Sequence, residues 1–420
     1  MSHSPNSLIL MGLSMLHPHP KYQIRVHPMP PASDIAPCRK VLYALSSIVP
    51  GRRPSKPPPS GLRKNSKPLH NTLRPGIYNP GQGPPAIAGY SPLCYNMTMV
   101  QIGSANINTN VFLAPMSGCT DLPFRLIARE HGAKFCFFEM LDSNSLTHNR
   151  RQSFNILKTT DLDRPIAGQL LGSDPAVMLD AANKVLERVK LLFLDINCAC
   201  PAKKVIKKKS GGHLMRDTPR LYGIVKKLSS SLKLPVTIKI RIGYDKKIAR
   251  DTIDMVRRCE DSGVAAIFVH GRLVSQGYAG DIDYAFIKKI KESVNIPVFG
   301  SGNILSGPLA KKMFDETSCD GILVARGALG NPWIFEQINS TLTNGTMQKA
   351  ISLEEKKKVL KKHLSYVDSY RDMSKTGKIG FMKKIAIWYL KSVPQASRLR
   401  EKITSSKNYE GILATVSAIN

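Results

Sequence analysis

Acidic residues are scarce in this sequence: 30 Asp and Glu stand against 61 Lys and Arg in 420 residues, a formal charge of +31. An excess of that size is far more than solubility needs and points to a polyanionic partner. Long apolar runs are missing. No stretch of 18 or more apolar residues occurs, which argues against a membrane-spanning helix. Cysteines are few and badly spaced for a scaffold. The eight, at 38, 94, 119, 136, 198, 200, 259 and 319, include no CxxC pair and no second Cys/His cluster, so neither a disulfide framework nor a bound metal is expected. A reducing, cytoplasmic setting fits that usage.

The positive charge is spread along the chain. Residues 1–98 hold 11 Lys and Arg and one acidic residue, Asp34, leaving 50 minus 29, or +21, for the rest. That first segment also carries 18 of the 29 prolines and has no sustained helical or strand period. It cannot bury enough apolar surface to offset its ordering entropy, so disorder is expected. Three readings compete for it: an organelle presequence, for a mitochondrion or plastid; a basic RNA-binding arm; or upstream sequence joined to the gene, with Met99 the favoured start.

From Val111 short β-branched runs alternate with stretches of helical periodicity. Eight such runs begin at 111, 134, 165, 191, 236, 265, 296 and 321, among them "VFLAPM", "LLFLDINCA" and "VTIKIRIG". Near-continuous apolar strands are buried on both faces, as parallel strands covered by helices must be. Eight units in succession predict a (β/α)8 TIM barrel over residues 99–340. After Trp333 only helical periodicity remains, which predicts a small all-α domain over 341–420. Residues 351–420 carry 15 Lys and Arg against six Asp and Glu.

Catalytic groups in such a barrel gather at the C-terminal ends of the strands. The groups there are Pro115, Met116 and Ser117; Glu139; Gln169; Asn197 with Cys200; Lys239 with Arg241; His270; Ser301, Gly302 and Asn303; and Ala325, Arg326 and Gly327. The glycines after strands seven and eight suit a phosphate, which backbone N–H groups can hold. A phosphate there, a lysine on strand five and an amide on strand three describe a flat cofactor across the barrel mouth, and flavin mononucleotide (FMN) fits. The alternative for Lys239 is an ion pair with a barrel carboxylate such as Glu139. Beyond Cys200 the chain places Lys203, Lys204, Lys207, Lys208 and Lys209, a group suited to phosphates of a nucleic acid.

The segments "APMSGCTDLPFR", "GQLLGSDP", "DINCACPAKKV", "IKIRIGY", "FVHGR" and "RGALGNPWIF", in this order, resemble the FMN-dependent tRNA-dihydrouridine synthases, the bacterial B type most. The resemblance runs from about Met99 to the C-terminus. It implies a barrel with a tRNA-binding helical domain, FMN reduced by NADPH or NADH, and reduction of a uridine C5=C6 bond, in the D-loop by family habit. By match, Pro115, Met116 and Ser117 contact the flavin, and Gln169 and Lys239 bind its rings. Ser301, Gly302, Asn303, Ala325 and Arg326 receive the phosphate, and His270 is a further contact. The cysteine before proline corresponds to the catalytic acid, which selects Cys200; Cys198 is expected to be a buried small residue. Asn197, Arg241, Arg272 and the five lysines are then the candidate substrate contacts, and a monomer is expected. Ala199 stands where glycine is common, which would strain a backbone that needs glycine. Two other readings remain at this point: an FMN barrel reductase acting on a free pyrimidine or enone, and an RNA-binding barrel without catalysis.

Overall fold

The computed structural model describes residues 99–245, 251–345 and 350–419. The expectations for residues 1–98 lie outside the described residues. Each of the eight apolar runs becomes a strand. After a short antiparallel hairpin, β1 (Val100–Ile102) and β2 (Ala105–Ile107), come β3 (Val111–Leu113), β4 (Phe135–Asp142), β5 (Ile166–Leu171), β6 (Leu194–Asn197), β7 (Val236–Arg241), β8 (Val264–His270), β9 (Val298–Ser301) and β10 (Gly321–Val324). Strands β3 to β10 pair in parallel in sequence order, and β10 closes on β3, so the barrel has no open edge.

The pleat sends alternate residues inward, and the inward set changes character along the strands. Toward one end lie six phenylalanines, Phe112, Phe135, Phe137, Phe193, Phe268 and Phe299, all fully buried. Each stabilises the fold by roughly 1.5–3 kcal/mol. The β1–β2 hairpin packs Val100, Ile102 and Ile107 against this cluster. Gly103, at the hairpin turn with φ +55°, lies against Pro235 and Ala265 at the start of β7 and β8, so the hairpin covers the N-terminal end of the barrel. Further along, the inward residues become Gln169, Asp195, Thr237, Asn197 and Lys239, and these open toward the other end.

Beyond Val324 no strand occurs among the described residues. Helices Ile334–Asn344, Leu353–Tyr370, Lys375–Tyr389, Ala396–Ser405 and Tyr409–Ser417 follow. Helix Leu353–Tyr370 starts at Ser352, whose hydroxyl accepts the Glu355 N–H, and Glu354 and Glu355 lie in its positive first turn. It buries Val359, Leu360, His363, Leu364 and Val367, a helical stripe, and leaves Lys358, Lys361 and Lys362 exposed. These helices share one hydrophobic core with the barrel: the Phe124 ring, from barrel helix Leu122–Glu130, meets Trp388 edge-on at 5.9 Å. Polar ties flank that contact. Arg371 pairs with Asp121 at 2.5 Å, Lys362 with Glu130 at 2.8 Å, and the Lys384 ammonium donates to the Gly118 carbonyl at 2.6 Å.

One buried ion cluster anchors the first barrel helix. The Asp163 carboxylate, fully buried, takes Arg125 at 2.8 Å and Arg129 at 3.0 Å, and Arg125 also donates to the carbonyls of Thr120 and Lys158 and stacks over Phe138. Asp163→Ala leaves a buried guanidinium without its counter-ion, so a loss of about 3–5 kcal/mol in urea unfolding is expected. A change under about 1 kcal/mol, the usual size for an exposed pair, would contradict this account of the cluster.

Candidate active site at the barrel mouth

The C-terminal ends of the strands surround a cleft holding about 870 Å³ of space, part of it open to solvent. Of the residues singled out from the sequence, Pro115, Met116, Ser117, Gln169, Asn197, Cys200, Lys239, Arg241, His270, Ser301, Gly302, Asn303, Ala325 and Arg326 all line it. Arg272 and the five lysines do not. Arg272 lies behind His270, with its guanidinium on the carbonyl of Gly280 and the side-chain oxygen of Asn303. Lys203, Lys204, Lys207, Lys208 and Lys209 are exposed, on and just after the short helix Lys203–Lys207.

Cys200 sits just past β6, held by its backbone. Asn197 Oδ1 accepts the N–H groups of Ala199 (3.1 Å) and Cys200 (3.0 Å), and Gly212 N–H donates to the Cys200 carbonyl at 3.0 Å. Gly211, at φ +60°, allows that approach: a Cβ there would fall 2.6 Å from Val205 and 3.1 Å from Cys200 Cβ. Ala199 is not among the residues with positive φ, so alanine is accommodated without strain. Burial raises the Cys200 thiol above its ordinary pKa, against the lowering by the Ala202 N–H, Arg241, Lys239 and Lys204. The thiol is therefore protonated at neutral pH despite the lysines that follow it. Cys198, two residues earlier, is fully buried in the outer core, the buried small residue that was expected.

Lys239 projects into the floor of the cleft and has no hydrogen-bond or ion-pair partner among the described residues. Burial, with Arg241 acting in the same direction, brings its ammonium down to about 8. The pairing with Glu139 considered above does not occur. Glu139 is turned out of the cleft to accept the Gly118 N–H, and the next residue, Met140, lines the cleft instead. The cause is a register shift of β4 on β5 between Phe137 and Met140, which re-aims the side chains after it.

At the β9 and β10 ends, the polar groups converge for an anion. Gly302 (φ +121°) and Asn303 (φ +51°) form a left-handed turn, and Asn303 Oδ1 bridges Arg272 at 3.1 Å and Arg326 at 3.2 Å. His270 is held neutral, well below its ordinary pKa, by burial and by the charges of Arg241, Lys239, Arg272 and Arg326. Arg241 is committed to the backbone. It donates to the carbonyls of Ala199 (3.0 Å), Leu273 (3.1 Å) and Gly277, tying the Cys200 loop to the loop after β8. That second loop supplies Tyr278, which was missed from the sequence: its ring lies under both Arg241 and Arg326 and lines the cleft. The signal was an aromatic set among glycines in "QGYAGD", in the loop that follows β8.

Residues 112–419 match the model of the dihydrouridine synthase (Dus) family. The chain is 35% identical over 303 residues to a protein of Rickettsia bellii named probable tRNA-dihydrouridine synthase, covering 72% of this chain and 92% of that one. It is 34% identical over 320 residues to tRNA-dihydrouridine synthase B of Pseudomonas aeruginosa, covering 76% and 95% respectively. The match takes in the barrel, the cleft and the C-terminal helices together, and on that ground the chain belongs to the dihydrouridine synthase family.

Proposed function

We propose that this protein is a tRNA-dihydrouridine synthase of the B type, in which FMN occupies the barrel-mouth cleft and Cys200 is the acid. The observation that carries the reading is the meeting, in one cleft, of the Cys200 thiol with the Lys239 side chain, whose ammonium has no partner among the described residues. A lysine ammonium that enters a cleft without a counter-ion asks for an electron-rich partner. The residues fit FMN: Lys239 and Gln169 for the ring system, Pro115, Met116 and Ser117 along one side, and Ser301, Gly302, Asn303, Ala325 and Arg326 for the phosphate, with His270 beside them. Gly302 has no room for a side chain, since a Cβ would fall 2.3 Å from Ile282 and 3.0 Å from His270, so backbone alone meets the ligand there. When bound and reduced by NADPH or NADH, FMN supplies the hydride that adds to C6 of the uracil.

The chain's own part is the proton. Addition at C6 places negative charge on the C4 carbonyl side of the base, and Cys200 donates its thiol proton to C5 to complete the dihydrouracil. Water returns the proton to the sulfur. Asn197 and Arg241 hold the backbone around Cys200, and Asn197 also lines the space left for the base. To reach the cleft a uridine must leave its stack, at a cost of a few kcal/mol, so the RNA must be held by its backbone. Lys203, Lys204, Lys207, Lys208 and Lys209 stand exposed beside Cys200 for this, and the basic C-terminal helices offer a second surface.

In cells lacking the gene, mass spectrometry of tRNA loses a dihydrouridine that wild type restores. Cys200→Ala retains bound flavin and, in purified form, loses about 10²- to 10⁴-fold in dihydrouridine formation; undiminished activity would overturn the role of Cys200. Replacing Lys203, Lys204 and Lys207 by alanine weakens tRNA binding, and each lysine that meets a phosphate lowers the slope of log affinity against log salt by about 0.7–0.9. An unchanged slope would remove these lysines from the interface.

A further inference from the structure

Beneath the cleft lies a carboxylate to which the reaction as described assigns no part. Asp195 is on β6, fully buried, in register with Gln169 on β5 and Thr237 on β7. Its Oδ2 accepts from Gln169 Nε2 at 2.7 Å and its Oδ1 from the Thr237 hydroxyl at 2.7 Å. Gln169 Oε1 in turn accepts from Asn197 Nδ2 at 2.8 Å, and Asn197 Oδ1 accepts the backbone N–H groups of Ala199 and Cys200. The result is an unbroken relay from a buried carboxylate to the peptide that carries the thiol.

The relay has a fixed sense, set at the end that carries the thiol. A backbone N–H only donates, so Asn197 turns its oxygen to the peptide and its amine to Gln169, and each amide can take one orientation. Gln169 must turn its amine toward Asp195 and its oxygen toward Asn197. It then has one N–H and one lone pair left for the cleft. Flipping Gln169 would set its oxygen against a carboxylate and its amine against the Asn197 amine. Burial pushes Asp195 up to about 7, opposed by its bonds from Gln169 and Thr237 and by the charge of Lys239. Those contacts are what hold a carboxylate in a barrel otherwise packed with phenylalanine.

We propose that Asp195 is a positioning residue of the synthase, whose carboxylate fixes the Gln169 amide and, through Asn197, the backbone that presents Cys200. This rests on the flavin and tRNA reading above. It makes cofactor edge and acid one hydrogen-bonded unit, so that disturbing the carboxylate displaces both. Thr237 bonds the other oxygen and lies outside the relay.

The test uses the purified full chain with its flavin. NADPH reduces the flavin, and undermodified tRNA is then added to follow reoxidation in a single turnover. A wild-type protein that holds no flavin, or whose flavin tRNA does not reoxidise, refutes the functional reading itself. Given an active wild type, Asp195→Leu, similar in shape but unable to accept, is expected to slow reoxidation by about 10- to 100-fold and to shift the visible flavin spectrum. Asp195→Asn should recover most of that rate, because its oxygen can take the Gln169 N–H while its amine donates to the Thr237 hydroxyl. Thr237→Val should stay close to wild type while losing a buried hydrogen bond. Asn197→Asp breaks the relay from the other end, since its carboxylate offers no donor to Gln169 Oε1; a loss and spectral shift like those of Asp195→Leu are expected, and this variant decides the matter if Asp195→Leu does not fold. A wild-type rate in Asp195→Leu or Asn197→Asp would overturn the proposal. So would Asp195→Asn as slow as Asp195→Leu, or Thr237→Val as slow as either, since a purely structural role predicts losses that track stability.

Discussion

Everything at the mouth depends on the pleat of a closed parallel barrel. With β10 bonded to β3, every second side chain of eight strands has only the interior to enter. Phenylalanine fills that interior from the N-terminal end, and the hairpin β1–β2 covers it. Polar side chains can then be accommodated only beyond the aromatic cluster, toward the C-terminal ends. On β7 the alternation is plain: Thr237, Lys239 and Arg241 share the inward face, while Val236, Ile238 and Ile240 belong to the outer core. The site is thus built where the apolar filling stops.

Desolvation gives these groups their chemical character. The same burial lowers Lys239, raises Asp195 and raises the Cys200 thiol, and in each case it outweighs the neighbouring charges that act the other way. A lysine-rich segment next to a thiol would, in water, favour thiolate. Here the five lysines are exposed and screened by solvent, whereas Cys200 is half-buried in the wall of the cleft. One stretch of chain can therefore combine an acid with a surface for polyanions. Coupling to the C-terminal helices is equally direct: the Gly118 peptide is held at its N–H by Glu139 of β4 and at its carbonyl by Lys384 of helix Lys375–Tyr389. The loop of Pro115, Met116 and Ser117 is fixed from both sides.

Much of this could be read from the residues. Eight apolar runs became eight strands because both-face burial demands uninterrupted Val, Ile, Leu and Phe, a pattern that no helix boundary imitates over so many repeats. Gln169, Lys239 and Cys200 were identifiable because polar groups closing an apolar strand have one place to go. Where strands are irregular, counting failed. The shift in β4 exchanged Glu139 for Met140 at the cleft, and no local residue pattern announces a bulge of that kind. Tyr278 was missed because it arrives on a loop, placed by Arg241 and Arg326 rather than by any strand. Asp195, inside a segment whose resemblance was noticed, drew no attention because its partners, Gln169 and Thr237, are 26 and 42 residues away. The C-terminal helices were legible as helices, but their shared core with the barrel depends on contacts such as Phe124 with Trp388 that periodicity does not contain.

The central claim is that the unpaired ammonium of Lys239 is there for a flavin. The visible absorption spectrum of the purified full chain, wild type beside Lys239→Met, tests it most directly. The account predicts a flavin band in the wild type that NADPH bleaches, and a strongly reduced band in Lys239→Met that added FMN restores only at higher concentration. A wild-type chain that neither carries nor takes up FMN, or a Lys239→Met variant that holds it as tightly as wild type, would contradict the account.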